Sequence, residues 1–250
     1  MEVLVAGSFD DPEVGFGLQQ AVLEEVAAGE RGPTALLWTS SRYVAATRKE
    51  TRLSGFAAAT EAVSALGFPV LVRNSGGGAV AANGGSLSFS LTFPIEDLRH
   101  GLYERYAEGL DLIASALRRL GVEAERGEVD GEFCPGSYSV RSGGAEGVKH
   151  AGLAQRITRR AARLEALILI SQTDEVRAAL EGFYGRLGLP FRPGSVGDLP
   201  VDVPRVIQAL SEEVRGRYAA VEGRVGEATM ERALALWGEW RVIPDSGTSL

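Results

Sequence analysis

Residues 70–93, VLVRNSGGGAVAANGGSLSFSLTF, constrain this chain more than any other stretch. A short β-rich run, Val70–Arg73, enters three consecutive glycines, and a second turn at Asn83–Gly85 feeds an alternating strand marked by Leu87, Phe89, Leu91 and Phe93. Consecutive glycines cost backbone entropy, so they are expected where the main chain takes unusual φ/ψ values or approaches another group closely. A dinucleotide-binding G-x-G-x-x-G would have to open a helix, and a P-loop would need G-K-[ST]. Here Gly76-Gly77-Gly78 runs into Ala79-Val80-Ala81-Ala82 and another turn, the pattern of a β-meander. Two readings remain: a tight structural turn, or a loop whose bare amides sit against a ligand.

Apolar periodicity predicts a helix over 13–28, short strands at Ala35–Thr39 and Tyr43–Ala46, and a helix over Thr51–Leu66. Strands follow near 70–73, 79–82 and 87–93. A long amphipathic helix over Glu96–Leu120 would carry Leu98, Leu102, Tyr106, Leu110, Ile113 and Leu117 on one stripe. Ala124–Arg126, Ser137–Arg141, Lys149–Ile157 and Arg163–Ser171 read as strands, the last apolar enough to be buried on both faces. Helices near 174–187, 203–219 and 227–237 close the chain. Strands and helices come in blocks, which predicts an α+β fold with a mixed or antiparallel sheet flanked by helices. We read 1–250 as one catalytic domain, with 195–245 either part of it or a C-terminal helical extension after the Pro/Gly-rich segment 188–204.

A net charge of −7 argues against a generic nucleic-acid binder. Arg156, Arg159, Arg160 and Arg163 nevertheless cluster, either as a solvated face or as a docking patch for an acidic partner. No apolar run approaches the length of a membrane span, and the first residues show no basic, apolar leader. A single cysteine leaves no internal disulfide and no four-cysteine zinc site, so a cytoplasmic protein without a metal or other cofactor is expected.

That cysteine, Cys134, sits in GEFCPGSYSV, where Pro135 biases it towards an extended backbone and Gly131 and Gly136 bracket it. It is either a small buried hydrophobe or a nucleophile, and the second role requires a neighbouring base or charge. His100 falls at a helix start, and His150 should face away from its neighbour Lys149. Lys149 is one of two lysines beside 24 arginines, and it follows a glycine-rich hairpin, Ser142–Gly147, that can return it to the end of the sheet holding Cys134. An ammonium there could support a thiolate and hydrogen-bond an acyl carbonyl.

The phrases Arg73-Asn74-Ser75-Gly76-Gly77-Gly78-Ala79-Val80 with Asn83–Ser90, and Lys149-His150-Ala151-Gly152-Leu153-Ala154-Gln155-Arg156, resemble the lipoate–protein ligase/octanoyltransferase family with its biotin/lipoyl ligase-like fold. The resemblance covers residues 13–190. ETRL at Glu50–Leu53 and FCPGSY around Cys134 are most similar to the branch of cysteine-dependent octanoyltransferases. That likeness implies Cys134 as nucleophile and Lys149 as the family's lysine. It also implies an acyl tunnel lined by Arg73, the loop Ser75, Gly76, Gly77, Gly78 and Ala79, and a turn at Gly152, Leu153 and Ala154. The implied reaction carries an octanoyl or lipoyl group to a lysine of a lipoyl-domain protein. Implied partners are the glycine cleavage H protein, dehydrogenase E2 subunits or an acyl carrier protein, with no nucleic acid or membrane. The chain has Val72 where ligases carry a second arginine, and Ala81-Ala82-Asn83 where they carry an aromatic–His–Asp stretch. These departures weigh against adenylate formation more than against acyl transfer. An ATP-dependent lipoate ligase and a non-catalytic acyl or lipoyl-domain binding protein stand as the alternatives.

Overall fold

The computed structural model describes residues 1–98 and 101–242. Its centre is an eight-stranded mixed sheet ordered β11-β1-β2-β6-β10-β9-β8-β7, with a smaller sheet ordered β4-β3-β5. The strands are β1 (Glu2–Phe9), β2 (Thr34–Ser40), β3 (Tyr43–Thr47), β4 (Val70–Arg73), β5 (Val80–Ala82), β6 (Ser86–Pro94), β7 (Glu125–Arg126), β8 (Ser139–Ser142), β9 (Val148–Ile157), β10 (Ala161–Leu169) and β11 (Val221–Glu222). The helices are α1 (Pro12–Ala28), α2 (Phe56–Ser64), α3 (Leu102–Arg119), α4 (Thr173–Leu187), α5 (Val203–Tyr218) and α6 (Glu227–Ala235). Strands β11, β1 and β2 run parallel, and from β2 to β7 every pairing is antiparallel. The α+β architecture with a mixed sheet is the one the block pattern predicts.

Strict alternation in the central strands builds two cores. In β2, Ala35 and Leu37 face α3 and α5, while Leu36 and Trp38 face α1 and the small sheet. In β6, Leu87, Phe89 and Leu91 enter the first of these cores, which leaves Ser88 free to line a cleft on the opposite face. In β10, Leu164, Ala166 and Ile168 take the α3/α5 side. The cleft therefore lies between the large sheet and the small one.

Two predicted helices differ from the structure, and one strand lies outside the sequence reading. The helix expected over Thr51–Leu66 is a short 3-10 turn at Glu50–Arg52 followed by α2. Glu50, the first residue of that turn, is drawn inward: its carboxylate accepts from Thr47 N at 2.8 Å and Ala79 N at 2.6 Å. Helix α3 starts at Leu102, not Glu96, and Leu98 lies exposed outside the stripe. The placement of His100 at a helix start lies outside the described residues. Strand β1 has no counterpart in the periodicity reading, because Val3 and Leu4 are buried on opposite faces and the remainder is largely solvated.

The C-terminal segment joins the rest of the fold at several points. β11 pairs with β1, α5 packs on α3, and α6 packs on α1. Beyond α6 the chain runs along the free edge of β4, where Val72 N donates to Trp240 O at 2.6 Å.

Candidate active site

Three segments converge on the cleft: the glycine loop between β4 and β5, the loop before β8 that carries Cys134, and the start of β9. The Cys134 sulfur accepts hydrogen bonds from the backbone N–H of Gly78 at 3.1 Å and from Arg73 Nη2 at 3.4 Å. Both donors suit a sulfur carrying negative charge. The glycine at 77 has a physical reason: its φ is +100°, and a Cβ there would stand 2.6 Å from the sulfur.

Cys134 itself has a φ of 45°, so the extended backbone expected before Pro135 is not adopted. Three further hydrogen bonds override that local preference. Cys134 N donates to Tyr184 Oη at 2.7 Å, Tyr184 Oη donates to Ala79 O at 2.9 Å, and Lys149 Nζ donates to Cys134 O at 3.1 Å. A non-glycine residue held in this region costs of order 1–3 kcal/mol, which the surrounding bonds must supply. Burial pushes the Tyr184 phenol up, so it remains protonated and able to bridge the two loops.

Lys149 is 1 % exposed and lies against a fully buried carboxylate, Glu132, at 2.7 Å. Its other two protons go to Phe133 O at 2.9 Å and Cys134 O, and the ammonium sits 4.6 Å from the Phe133 ring centroid. All three N–H donors are thus engaged, and the sulfur's charged neighbour is Arg73, not the lysine. Glu132 also accepts from Val129 N and Ser139 Oγ, which ties the cysteine loop to β8.

A β-bulge aligns the lysine. The register jumps from Val140↔Ala151 to Arg141↔Lys149, leaving His150 as the extra residue. Without it, Lys149 and Gly152 would face opposite sides; with it, both line the cleft. A Cβ on Gly152 would lie 2.9 Å from Lys149 Cε, so only glycine lets the side chain cross there. His150 points elsewhere and pairs with Ser142 Oγ at 2.7 Å.

Burial lowers the His150 pKa to about 4. The unfolded imidazole binds a proton below about 6.5 that the folded one refuses, so stability falls as pH drops from 6.5 through 4. The expected loss is on the order of 3 kcal/mol by pH 4, and a His150→Gln protein should lack that part of the acid limb in pH-dependent urea melts.

Of the residues singled out from the sequence, Arg73, Ser75, Cys134, Lys149, Gly152, Leu153 and Ala154 all line one cleft. Gly152–Ala154 belong to β9 and form no turn. Gly76 and Gly77 line an adjoining surface groove, Gly78 supplies the N–H to sulfur, and Ala79 is buried behind the loop. Sequence reasoning did not single out Glu132, Tyr184, Glu165 or Trp240. Glu165 is the one carboxylate lining the cleft among the described residues, hydrogen-bonded to Ser75 and paired with Arg163 at 2.7 Å. Burial raises its pKa, but Arg163, Arg73 and the Ser75 hydroxyl outweigh that and hold it below the usual carboxylate value. Among the described residues there is no grouping of His, Cys, Asp or Glu able to hold a metal, and no helix long and apolar enough to cross a membrane.

Away from the sulfur the cleft turns apolar, walled by Ala45, Val80, Leu167 and an aromatic cluster. Phe16 stands 5.3 Å from Tyr43 and 5.9 Å from Trp240, centroid to centroid. Strand β3 serves as a ruler: Arg73 pairs with Thr47, and Tyr43 lies four residues further along. At about 3.3 Å per residue that is roughly 13 Å from the reacting end to the aromatic wall.

A sulfur and a buried lysine share a half-apolar cleft on a mixed sheet backed by helices, and that arrangement of sheet and helices is the fold of solved lipoate-protein ligases. A family model described as the lipoyl protein ligase A/B catalytic domain matches residues 11–184, and the chain belongs to that family. It is 31% identical over 208 residues to the octanoyl-[GcvH]:protein N-octanoyltransferase of Geobacillus kaustophilus, covering 82% of this chain and 71% of that protein. The Bacillus velezensis protein of the same name is 29% identical, with 84% and 72% covered. Among solved structures, a lipoate-protein ligase A bound with ATP superposes with a TM-score of 0.76 at 18% identity, covering 94% of this chain and 93% of the other. A bi-partite lipoate protein ligase from Thermoplasma acidophilum gives 0.70 at 17% identity, with 94% and 91% covered, and shares the fold.

Proposed function

We propose that this protein moves an octanoyl group from octanoylated GcvH, through a thioester on Cys134, to a lysine of a lipoyl-domain protein such as a dehydrogenase E2 subunit, in the cytoplasm. The chain is an acyltransferase of protein lipoylation. Family membership and the octanoyltransferase names of its relatives support the overall reaction. One observation carries the covalent route: the cleft holds a strained cysteine whose sulfur already accepts two hydrogen bonds.

In the first half-reaction the sulfur attacks the acyl carbon, the donor's C–N bond breaks, and the departing lysine amine takes the thiol proton. In the second, an acceptor lysine attacks the thioester, a new amide forms, and the proton returns to sulfur. One amide is exchanged for another, so the overall reaction is near balance and calls for no nucleotide. Lys149 holds the carbonyls of Phe133 and Cys134 in place, and releasing one of them would free an N–H for the acyl oxygen.

Seven C–C bonds of about 1.5 Å in zigzag reach roughly 9 Å, which fits between the sulfur and the aromatic wall. Burying seven methylene or methyl groups at ~0.8 kcal/mol each contributes roughly 5 kcal/mol. Trp240→Ala should therefore open the wall and shift the preferred donor towards longer chains, read from kcat/KM across C8, C10 and C12 carriers; an unchanged preference would remove Trp240 from the wall. The reaction itself is tested by incubating octanoyl-GcvH and an unmodified lipoyl domain with the enzyme. Transfer without ATP is expected, and strict dependence on ATP would favour a ligase.

A further inference from the structure

The cleft mouth continues into a groove lined by Arg48 and Lys49 from the loop after β3, by Gly76 and Gly77, and by Arg156 of β9. Arg73, Asn74 and Ser75 line both cavities, so the groove runs directly to the reacting sulfur. Arg159 and Arg160 lie at the tip of the adjacent β9–β10 hairpin, and all five outer cations are exposed. Among the described residues none of the five has an ion-pair partner; elsewhere on the surface Arg119, Arg126 and Arg141 are each matched to a carboxylate, and Arg118, Arg186 and Arg205 are not. The fourth arginine of the sequence cluster, Arg163, belongs to the cleft and is neutralised by Glu165. Glu50 beneath the groove is buried, its oxygens committed to Thr47 and Ala79.

In a chain with a net charge of −7, the unmatched cations Arg48, Lys49 and Arg156 edge one groove as a partial ring of positive charge. The acceptor lysine is itself cationic and cannot be what this ring attracts. We propose that the ring is a docking surface for an acidic face of the carrier protein, whose carboxylates flank the lysine and steer it into the cleft. This rests on the acyl-transfer reading and names what its partner must present. Three cations lining one groove match a small protein face, while the net-acidic remainder of the surface would repel an extended polyanion.

The test separates docking from chemistry. Binding of octanoyl-GcvH to the Cys134→Ala protein is followed by fluorescence anisotropy, with and without the added changes Arg48→Glu, Lys49→Glu and Arg156→Glu. The triple reversal is expected to weaken binding by about tenfold or more, and the parent's affinity should fall steeply with added salt while the reversed protein's does not. Matched thermal melts exclude unfolding, and a single Arg159→Glu change should give a smaller loss in the same direction. Equal, salt-insensitive affinities would overturn the proposal, as would an RNA oligomer that binds at the mouth and that the carrier cannot displace. Salt-sensitive carrier binding by a wild-type enzyme that transfers nothing would count against the acyl-transfer reading alone and leave the docking surface standing.

Discussion

Replacing Cys134 with alanine is expected to lower octanoyl transfer by roughly 10³-fold or more, because the chain has no second thiol and the nearby Ser75 and Lys149 are held in hydrogen bonds to carboxylates. The thermal midpoint should barely move. The removed sulfur is only part-buried, and the backbone bonds of Cys134 to Tyr184 and Lys149 do not involve it. Cys134→Ser should be nearly as inactive, since a hydroxyl is far less acidic than a thiol. Retained activity in either variant would mean that the acyl group passes directly from donor to acceptor.

The second large effect is on stability. Lys149→Met would leave Glu132 buried with no cation, and breaking a buried pair in this way costs about 3–5 kcal/mol. A urea melt of that variant should therefore show a much lower midpoint, together with lost activity because the cysteine loop is no longer held. Adding Glu132→Gln should recover part of the stability and none of the activity, since the charge is gone and the amide oxygen can still accept from Val129 N or Ser139 Oγ, but the lysine anchor of the loop is still missing. A single Lys149→Met change that leaves the midpoint unmoved would show that the pair is hydrated in solution.

Much of this could be anticipated from residues. The alternation in β6 and the continuous apolar run of β10 mark strands of a two-faced sheet, and the triple glycine marks the loop that meets the sulfur. Two of these glycines approach another group closely, as expected: Gly78 donates its N–H to the sulfur, and Gly77 before it leaves room for it. Local propensity misled at Cys134, where tertiary hydrogen bonds outweigh the preference set by Pro135. It also misled over Thr51–Leu66, where a 3-10 turn anchored by the Glu50 carboxylate precedes the shorter helix α2. The Lys149–Glu132 pair was invisible because nothing in GEFCPG distinguishes a buried carboxylate from a solvated one. The bulge at His150 was hidden for a related reason: period-two reasoning has no place for an extra residue. Trp240 lies far along the chain from the cleft it walls, a long-range contact that no spacing rule reaches.

The most direct measurement is the intact mass of the enzyme mixed with octanoyl-GcvH in the absence of both acceptor and ATP. The account predicts one added octanoyl group, located on Cys134 by peptide mapping, labile to hydroxylamine and lost when an acceptor lipoyl domain is supplied. An enzyme that completes transfer at full rate while its mass never changes at any sampled time, including millisecond quenches, would contradict it.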